Sequence, residues 1–491
     1  MPDIQRIYQA ALVRGPDELI DASLVEAFVE SPFGVYCELF AQPEERDPLG
    51  LYQQLLFKRG QEHESTVVKQ EYPDAGEEPF ETEEEGFRKT LEMMERGVSE
   101  IHSMPLLYLP AGMRGRPDVL VKTSGGRSHF GKYHYEVVEI KLAKNLRRAH
   151  EVQGAFYTRL IGLIQGFTSK QFHIVNGESK VLPFVYAQCE PDLDEAITGV
   201  RAVLNGKVVE PCYGSCRWPW ENYGNRLAVE NRDVSLIPGV GLGLQAGLKA
   251  GGFITVDDVA GTKPPKLLSV KGIGAVRAED FYLKAKAITS QRPIRRPGNA
   301  LAFRRKKYEL FLDLEGTDPR FNTEGLAVTN YLIGVVTRNG RGSEYAPFVA
   351  PTPADEERML REFCRYVTSL SDYVIYHWHN YERVHLERML EYYGISLRAS
   401  SRILNHLVDL RPIATKSFAF PCYSDGLKSI ASCLGFQWRQ EDVDALTSVV
   451  LYLRYVRSGG TEKDAITKIM TYNEDDCRAT MFIKDWLVER S

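Results

Sequence analysis

The sequence predicts an α/β chain of several domains: a mixed helix and strand domain at each end and a small all-α module between them. Three observations lead there. At 491 residues the chain exceeds the size of one ordinary core. Residues 231–290 change character, with Gly-rich hairpins between short helical stretches. From Tyr308 the order is strand, strand, strand, helix, strand and then mostly helix, read from YELFLDLEG, VTNYLIGVVTR, SEYAPFVA, ADEERMLREFCRYVTSL and YVIYHW. The expected segments are 1–230, 231–290, a basic linker 291–307, and 308–491.

Composition narrows the function classes. A hydrophobic share of 43% and a charged share of 26% describe a folding chain. No apolar run is long enough to span a membrane, and charges interrupt the N-terminal stretch, so neither anchor nor leader is expected and a cytoplasmic location follows. Eight scattered cysteines make no disulfide framework. A net charge of −5 argues against coating nucleic acid by bulk attraction, so any such contact is local. Glu71 to Glu85 holds eight acids and no base, and reads as a solvated loop. Gln291 to Tyr308 holds Arg292, Arg295, Arg296, Arg304, Arg305, Lys306 and Lys307 and no acid, and reads as a linker able to lie along phosphates.

In the first segment VLVKT and HYEVVEIKL are the clearest strands. GRPDVLVK puts Asp118 just before one strand, and YEVVEIKLAK puts Glu139 and Lys141 two apart on the next, on one face. Two carboxylates on neighbouring strands suit Mg²⁺ or Mn²⁺, and a lysine beside them can orient the attacking water and offset charge on the phosphorane. Gln153 and Tyr157 follow one helical turn apart in EVQGAFYTRL. With His63 in RGQEHES, this ordered set resembles the RecB-type branch of the PD-(D/E)xK nucleases, which includes the CRISPR-adaptation nucleases. The resemblance implies a restriction-endonuclease-like fold, with His63, Asp118 and Glu139 as metal ligands, Lys141 catalytic, and Gln153 and Tyr157 steering the substrate backbone. Many such relatives also carry an iron–sulfur cluster on four cysteines. Cys37 fits the first place and Cys212 and Cys216 two later ones, but the fourth is missing and Cys189 is off the spacing. Buried thiols are therefore the simpler expectation.

VSLIPGVGLGLQAGL and LSVKGIGAVRAEDF repeat a Gly-x-Gly pattern, with Gly239 and Gly241 in one copy and Gly272 and Gly274 in the other. Such glycines are expected at positive backbone dihedrals, exposing N–H groups to a phosphate oxygen. The pattern resembles tandem helix-hairpin-helix motifs, which hold the duplex backbone without reading sequence. The alternative is a pair of turns used only for packing.

In ELFLDLEG, Asp313 and Glu315 alternate with Leu312 and Leu314, so two acids leave a buried strand on one side. Such a pair is costly unless a cation neutralises it. Glu382 follows another strand in YVIYHWHNYE, and TYNEDDCRAT stacks Tyr472 on Asp476. This arrangement resembles the DEDD exonucleases of the ribonuclease H-like fold, in the subgroup ending in Y-x-x-x-D. The resemblance implies 3'-5' exonuclease action, with Asp313, Glu315, Glu382 and Asp476 binding two metals and Tyr472 positioning water. Glu382 departs from the usual aspartate. His377, His379 and Asp409 lie nearby and serve either this site or the structure.

The combined order resembles bacterial RecB-family nucleases associated with or fused to helicases. No G-x-x-x-x-G-K-[ST] loop is present, so a helicase would be a separate partner. The expectation is a Mg²⁺- or Mn²⁺-dependent nuclease with two sites, acting on nucleic acid, DNA before RNA, in repair or defence. The alternative is a binding adaptor whose nuclease folds are inert and recruit a helicase.

Overall fold

The computed structural model describes residues 4–298, 301–317, 328–340, 342–440 and 443–490. Residues 299–300 of the expected linker and 318–327, 341, 441–442 and 491 of the last segment lie outside the described residues. The chain is a mixed α/β protein of two compact units, residues 1–211 with 215–225, and residues 212–214 with 226–491.

The first unit opens with α1 (Ile4–Ala11), α2 (Ala22–Glu30), α3 (Pro32–Phe40), α4 (Leu51–Glu71) and α5 (Glu83–Arg96). Next come β1 (Glu100–His102), a small hairpin of β2 (Leu106–Tyr108) and β3 (Met113–Gly115), then β4 (Val119–Ser128) and β5 (Gly131–Ile140). α6 (Arg148–Gln165) leads to β6 (Gln171–Val175), followed by β7 (Val181–Val185), α7 (Tyr186–Leu204) and α8 (Glu221–Glu230), within which the chain passes to the second unit.

Local chemistry explains these limits. Asp21, Ser31 and Thr82 cap α2, α3 and α5 by accepting from backbone N–H groups of the first turn. Glu83, Glu84 and Glu85 open α5, where the helix dipole favours acids, and Gly97 at φ +69° ends it. The acidic run is thus no single loop: Glu71 ends α4 and its last three acids begin α5. The sheet order is β1-β4-β5-β6-β7, antiparallel except for the β5–β6 pair, whose parallel register needs the α6 crossover. β5 is buried on both faces from His134 to Ile140. α6 lies close to β6 because position 154 is glycine: a Cβ there would come within 2.4 Å of the Phe172 ring.

In the second unit α9 (Leu242–Ala250), α10 (Val256–Gly261) and α11 (Ala275–Ser290) close over Val234, Ile237, Leu248, Val256, Leu267 and Phe281. Then follow β8 (Ile294–Arg295), β9 (Tyr308–Gly316), β10 (Asn330–Asn339), β11 (Gly342–Val349), α12 (Glu356–Ser369), β12 (Tyr373–His377), α13 (Tyr381–Tyr392), α14 (Leu397–Leu404), β13 (Leu407–Asp409), α15 (Leu410–Ser417), β14 (Phe418–Ala419), α16 (Leu427–Cys433), α17 (Ala445–Arg457) and α18 (Lys463–Val488). The sheet runs β11-β10-β9-β12-β13, antiparallel from β9 outward through β10 and parallel through β12 and β13. Leu310, Leu312 and Leu314 of β9 pack with Met359 and Phe363 of α12 and Leu386 of α13. Phe311 on the other face packs with Leu410 of α15, Ile430 of α16 and Cys477 and Ile483 of α18. Asp313 and Glu315 share the Phe311 side of the strand, which brings them toward α18.

The helical module is fastened to the C-terminal domain. Lys284 Nζ donates to the Pro238 carbonyl at 3.0 Å and lies 3.2 Å from Asp280 and 3.4 Å from Asp425. Arg296 pairs with Asp280 at 2.5 Å, and β8 pairs with β14. The basic run is therefore only partly a linker, since Arg295 donates to the Arg490 carbonyl, Arg296 is ion-paired and Lys306 holds Asp372 at 2.7 Å. Among the described residues no helix is long and apolar enough to cross a membrane.

Candidate active sites

In the first unit the β4–β5 pairing brings Asp118 and Glu139 together. Ile140 N donates to Asp118 Oδ2 at 2.6 Å, and Asp118 N donates to Glu139 Oε1 at 3.3 Å. Lys141, one residue past β5, donates from Nζ to Glu139 Oε2 at 3.3 Å. Burial pushes Asp118 up to about 6 and Glu139 up to about 8, the Asp118 charge adding to the latter. Burial opposes the charge of Lys141, but Glu139, Asp118 and Glu26 together outweigh it and hold the ammonium above its ordinary range. Two carboxyls pressed toward neutrality around one cation form an unbalanced site of hard oxygen donors.

Tyr157 of α6 lies beside this pair, its hydroxyl bonded to the Arg116 backbone, and burial raises its pKa. Gly115 makes room for it, since a Cβ there would sit 2.5 Å from the Tyr157 ring. Gln153, one turn earlier, is buried, and its Oε1 has no hydrogen-bond partner. His63 of α4 is turned elsewhere, with Nε2 3.0 Å from the Asn176 carbonyl oxygen. Its neighbour Glu64 instead faces His102 at 3.5 Å, and the Glu64 charge helps push Asp118 up. Consecutive residues on a helix point in different directions, so a motif centred on His63 also brings Glu64 into play. Glu26 of α2, near Lys141 and 3.8 Å from His150, belongs to no sequence pattern and was missed.

The four cysteines of the cluster expectation are all buried. Cys37 is pushed up to about 12 by burial and by Cys216. Cys189 accepts from Arg148 at 3.6 Å, and Cys212 falls in the second unit.

The two glycine turns differ within each pair. Gly239 and Gly272 have φ of +101° and +89°, which an L side chain rarely adopts. Gly241 and Gly274 are extended N-caps of α9 and α11, with φ of −95° and −90°. The expectation of positive dihedrals at Gly241 and Gly274 is therefore corrected. A first glycine turns the chain, and a second starts the helix in a conformation open to any residue.

In the C-terminal domain one ligand atom each of Asp313, Glu315 and Asp476 lies within 4.8 Å of the others. Two come from β9 and one from α18. Burial and the Asp476, Glu315 and Glu382 charges raise Asp313 well above its ordinary value. Burial and Asp476 push Glu315 up to about 8, and burial pushes Asp476 up to about 7 against the Tyr472 hydrogen bond and the Lys428 charge. Tyr472 is itself raised, first by burial and then by Asp476.

Side chains outside the motifs hold these acids in place. Asn473 Nδ2 donates to Asp313 Oδ2 at 2.7 Å, and its Oδ1 accepts from Tyr345 at 2.9 Å. Ser448 donates to Glu315 at 3.3 Å and contacts the Tyr331 hydroxyl at 2.8 Å. Asn473 lies inside the quoted TYNEDD run, but its role was not legible there; Ser448 and Tyr345 belong to no motif. Glu382, in the first turn of α13, stands outside the three-carboxylate group. Its buried Oε2 has no hydrogen-bond partner and is 3.4 Å from His377 Nδ1, which lies 2.7 Å from the His379 carbonyl oxygen. Asp409 accepts from His379 N at 3.0 Å and caps α15 through Arg411 N, which is structural work.

No curated protein sequence matches the chain. Residues 310–488 match the family described as the RNase_H superfamily, and the C-terminal domain that carries these carboxylates is ribonuclease H-like.

Proposed function

We propose that the chain is a metal-dependent nuclease that hydrolyses phosphodiester bonds at DNA ends or flaps, in repair or defence, with exonuclease action at the C-terminal site. The convergence of Asp313, Glu315 and Asp476 in a ribonuclease H-like domain carries this reading. The donor set fits Mg²⁺ or Mn²⁺: all hard oxygens, half-buried or buried and under mutual repulsion, with the charge of Glu382 adding to that on Asp313. When bound, such an ion polarises the phosphodiester and makes a water nucleophilic at neutral pH.

The chain's own groups then divide the work. Asn473 and Ser448 fix the carboxylates of Asp313 and Glu315, and the Tyr472 hydroxyl beside Asp476 orients the attacking water. At the second proposed site Asp118 and Glu139 are the ligands, Lys141 offsets charge on the reacting phosphate, and Gln153 and Tyr157 hold the strand. His63 would add a third ligand there if its ring left the Asn176 carbonyl.

The test is cleavage of end-labelled single-stranded, duplex, flap and RNA oligonucleotides with Mg²⁺, Mn²⁺ or EDTA. Metal-dependent cutting that is lost in an Asp118→Ala, Asp313→Ala double variant supports the reading. Binding without cutting under every metal would instead favour an inert adaptor.

A further inference from the structure

The duplicated glycine turns are not equivalent. When the two copies are aligned on Gly239/Gly241 and Gly272/Gly274, the second copy carries Lys263, Lys266, Lys271 and Arg277 where the first has Glu230, Asp233, Pro238 and Leu244. Segment 263–277 contains four cations and no acid, whereas 231–262 contains Arg232 and Lys249 against Asp233, Asp257 and Asp258.

Ion pairing sharpens the contrast. Arg232 forms a two-point pair with Asp257 at 2.5 and 2.7 Å. Lys249 pairs with Asp233 at 2.6 Å, and the buried Asp233 also accepts from Ser235 N and Gln245 Nε2 at 2.8 Å each. Both cations of the first copy are thus ion-paired within the protein, Arg232 at the surface and Lys249 largely buried. Lys263, Lys266, Lys271 and Arg277 are all exposed, and none has an ion-pair partner among the described residues. Arg277 only closes its own turn, donating to the Gly272 carbonyl at 2.6 Å. The space in front of both turns is open, for a Cβ at Gly241 or Gly274 would meet nothing within 4 Å, so the copies differ in their charge and not in access.

We infer that the duplication has diverged, so that the second turn alone holds the phosphodiester backbone of duplex DNA, through Lys263, Lys266, Lys271 and Arg277, while the first turn packs the module. Resting on the reading of the chain as acting on DNA, the inference replaces a symmetric grip through four glycines with a one-sided one through cations. Four exposed cations within fifteen residues, without ion-pair partners among the described residues, suit the dense charge of a duplex, and releasing condensed counterions supplies the affinity. A net charge of −5 gives the chain no bulk attraction for DNA, so its grip is local.

The experiment is equilibrium binding of the full chain to a blunt DNA duplex of about 30 base pairs, in EDTA, across a salt series. Lys266→Ala with Lys271→Ala should weaken binding about tenfold or more at low salt and reduce the salt slope by about 2, one unit for each lost phosphate contact. Leu242→Glu, at an exposed site beside the first turn, should change neither. Circular dichroism checks that each variant is folded. An unchanged slope in the folded double variant overturns the inference, as does an equal loss from Leu242→Glu. Tighter binding to an RNA duplex with the same slope change overturns the choice of DNA. Cleavage of a short single strand, measured separately, distinguishes the two proposals: if it persists while the slope fails to move, only this inference falls.

Discussion

Asn473 of α18 is fixed at both ends of its carboxamide, by Asp313 and by Tyr345, and it packs on a glycine of β10. A Cβ at Gly334 would lie 1.5 Å from Asn473 Oδ1, so no side chain fits without moving the amide. Gly334→Ala is expected to cost about 1–3 kcal/mol through overpacking and to lower C-terminal cleavage at least tenfold, measured by chemical unfolding and by product ladders. Tyr472→Phe is a gentler change that keeps the ring and removes the hydroxyl bonded to Asp476. We expect kcat to fall by about 10²-fold with little change in KM; an unchanged kcat would remove Tyr472 from the reaction.

The pH behaviour also follows from single residues. Without metal, Glu315 at about 8 and Asp476 at about 7 keep protons in the folded chain that ordinary carboxyls at 4.5 and 3.8 release on unfolding. The folded form then binds more protons between these limits, so these groups make stability fall as pH rises through them. A bound cation takes the place of the protons. The gain in melting temperature on adding Mn²⁺ should therefore be small near pH 5.5 and reach several degrees near pH 8. A gain that shrinks with rising pH would contradict the carboxylate assignment.

At the scale of elements, α6 shows why part of the site could be read from the chain and part could not. Period-two alternation on β5 and the four-residue spacing on α6 place Glu139, Gln153 and Tyr157 from local geometry alone. Asp313 and Glu315 were legible in the same way, as was the stacking of Tyr472 on Asp476. Long-range packing leaves no such trace: Glu26 meets Lys141, and Ser448 meets Glu315, only because separate helices fold onto the sheets. Turn geometry was half legible, since the Gly-x-Gly pattern marked the loops but not which glycine of each pair takes the positive dihedral. The closeness of α6 to β6 depends on Gly154, whose replacement by Ala would drive a methyl into Phe172. Gly154→Ala should lower the stability of the first unit by about 1–3 kcal/mol and lower cleavage at the Asp118 site, because α6 also carries Gln153 and Tyr157. Intact cleavage there would show that α6 does not position the substrate.

For the molecule as a whole, the division into two compact units sets the form of the last prediction. Asp118, Glu139 and Lys141 lie in one unit and Asp313, Glu315 and Asp476 in the other. Each set also carries its own electrostatic load, since the causes that raise Asp118 and Glu139 are groups of the first unit and those that raise Glu315 and Asp476 are groups of the second. Losing one carboxylate should therefore silence its own site and leave the other's metal demand and pH dependence unchanged, as expected for substitutions whose sites share no partners. Asp118→Ala should remove one family of products and Asp313→Ala another, seen with substrates labelled at either end, and the double variant should leave none. Asp313→Ala also removes a carboxyl that is itself raised well above its ordinary value in the folded chain, so metal-free protein carrying it should lose less stability on raising the pH than the parent does. If either single variant abolishes every product while remaining folded and able to bind DNA, the two sites act as one, and the division of the chain into two units does not extend to its chemistry.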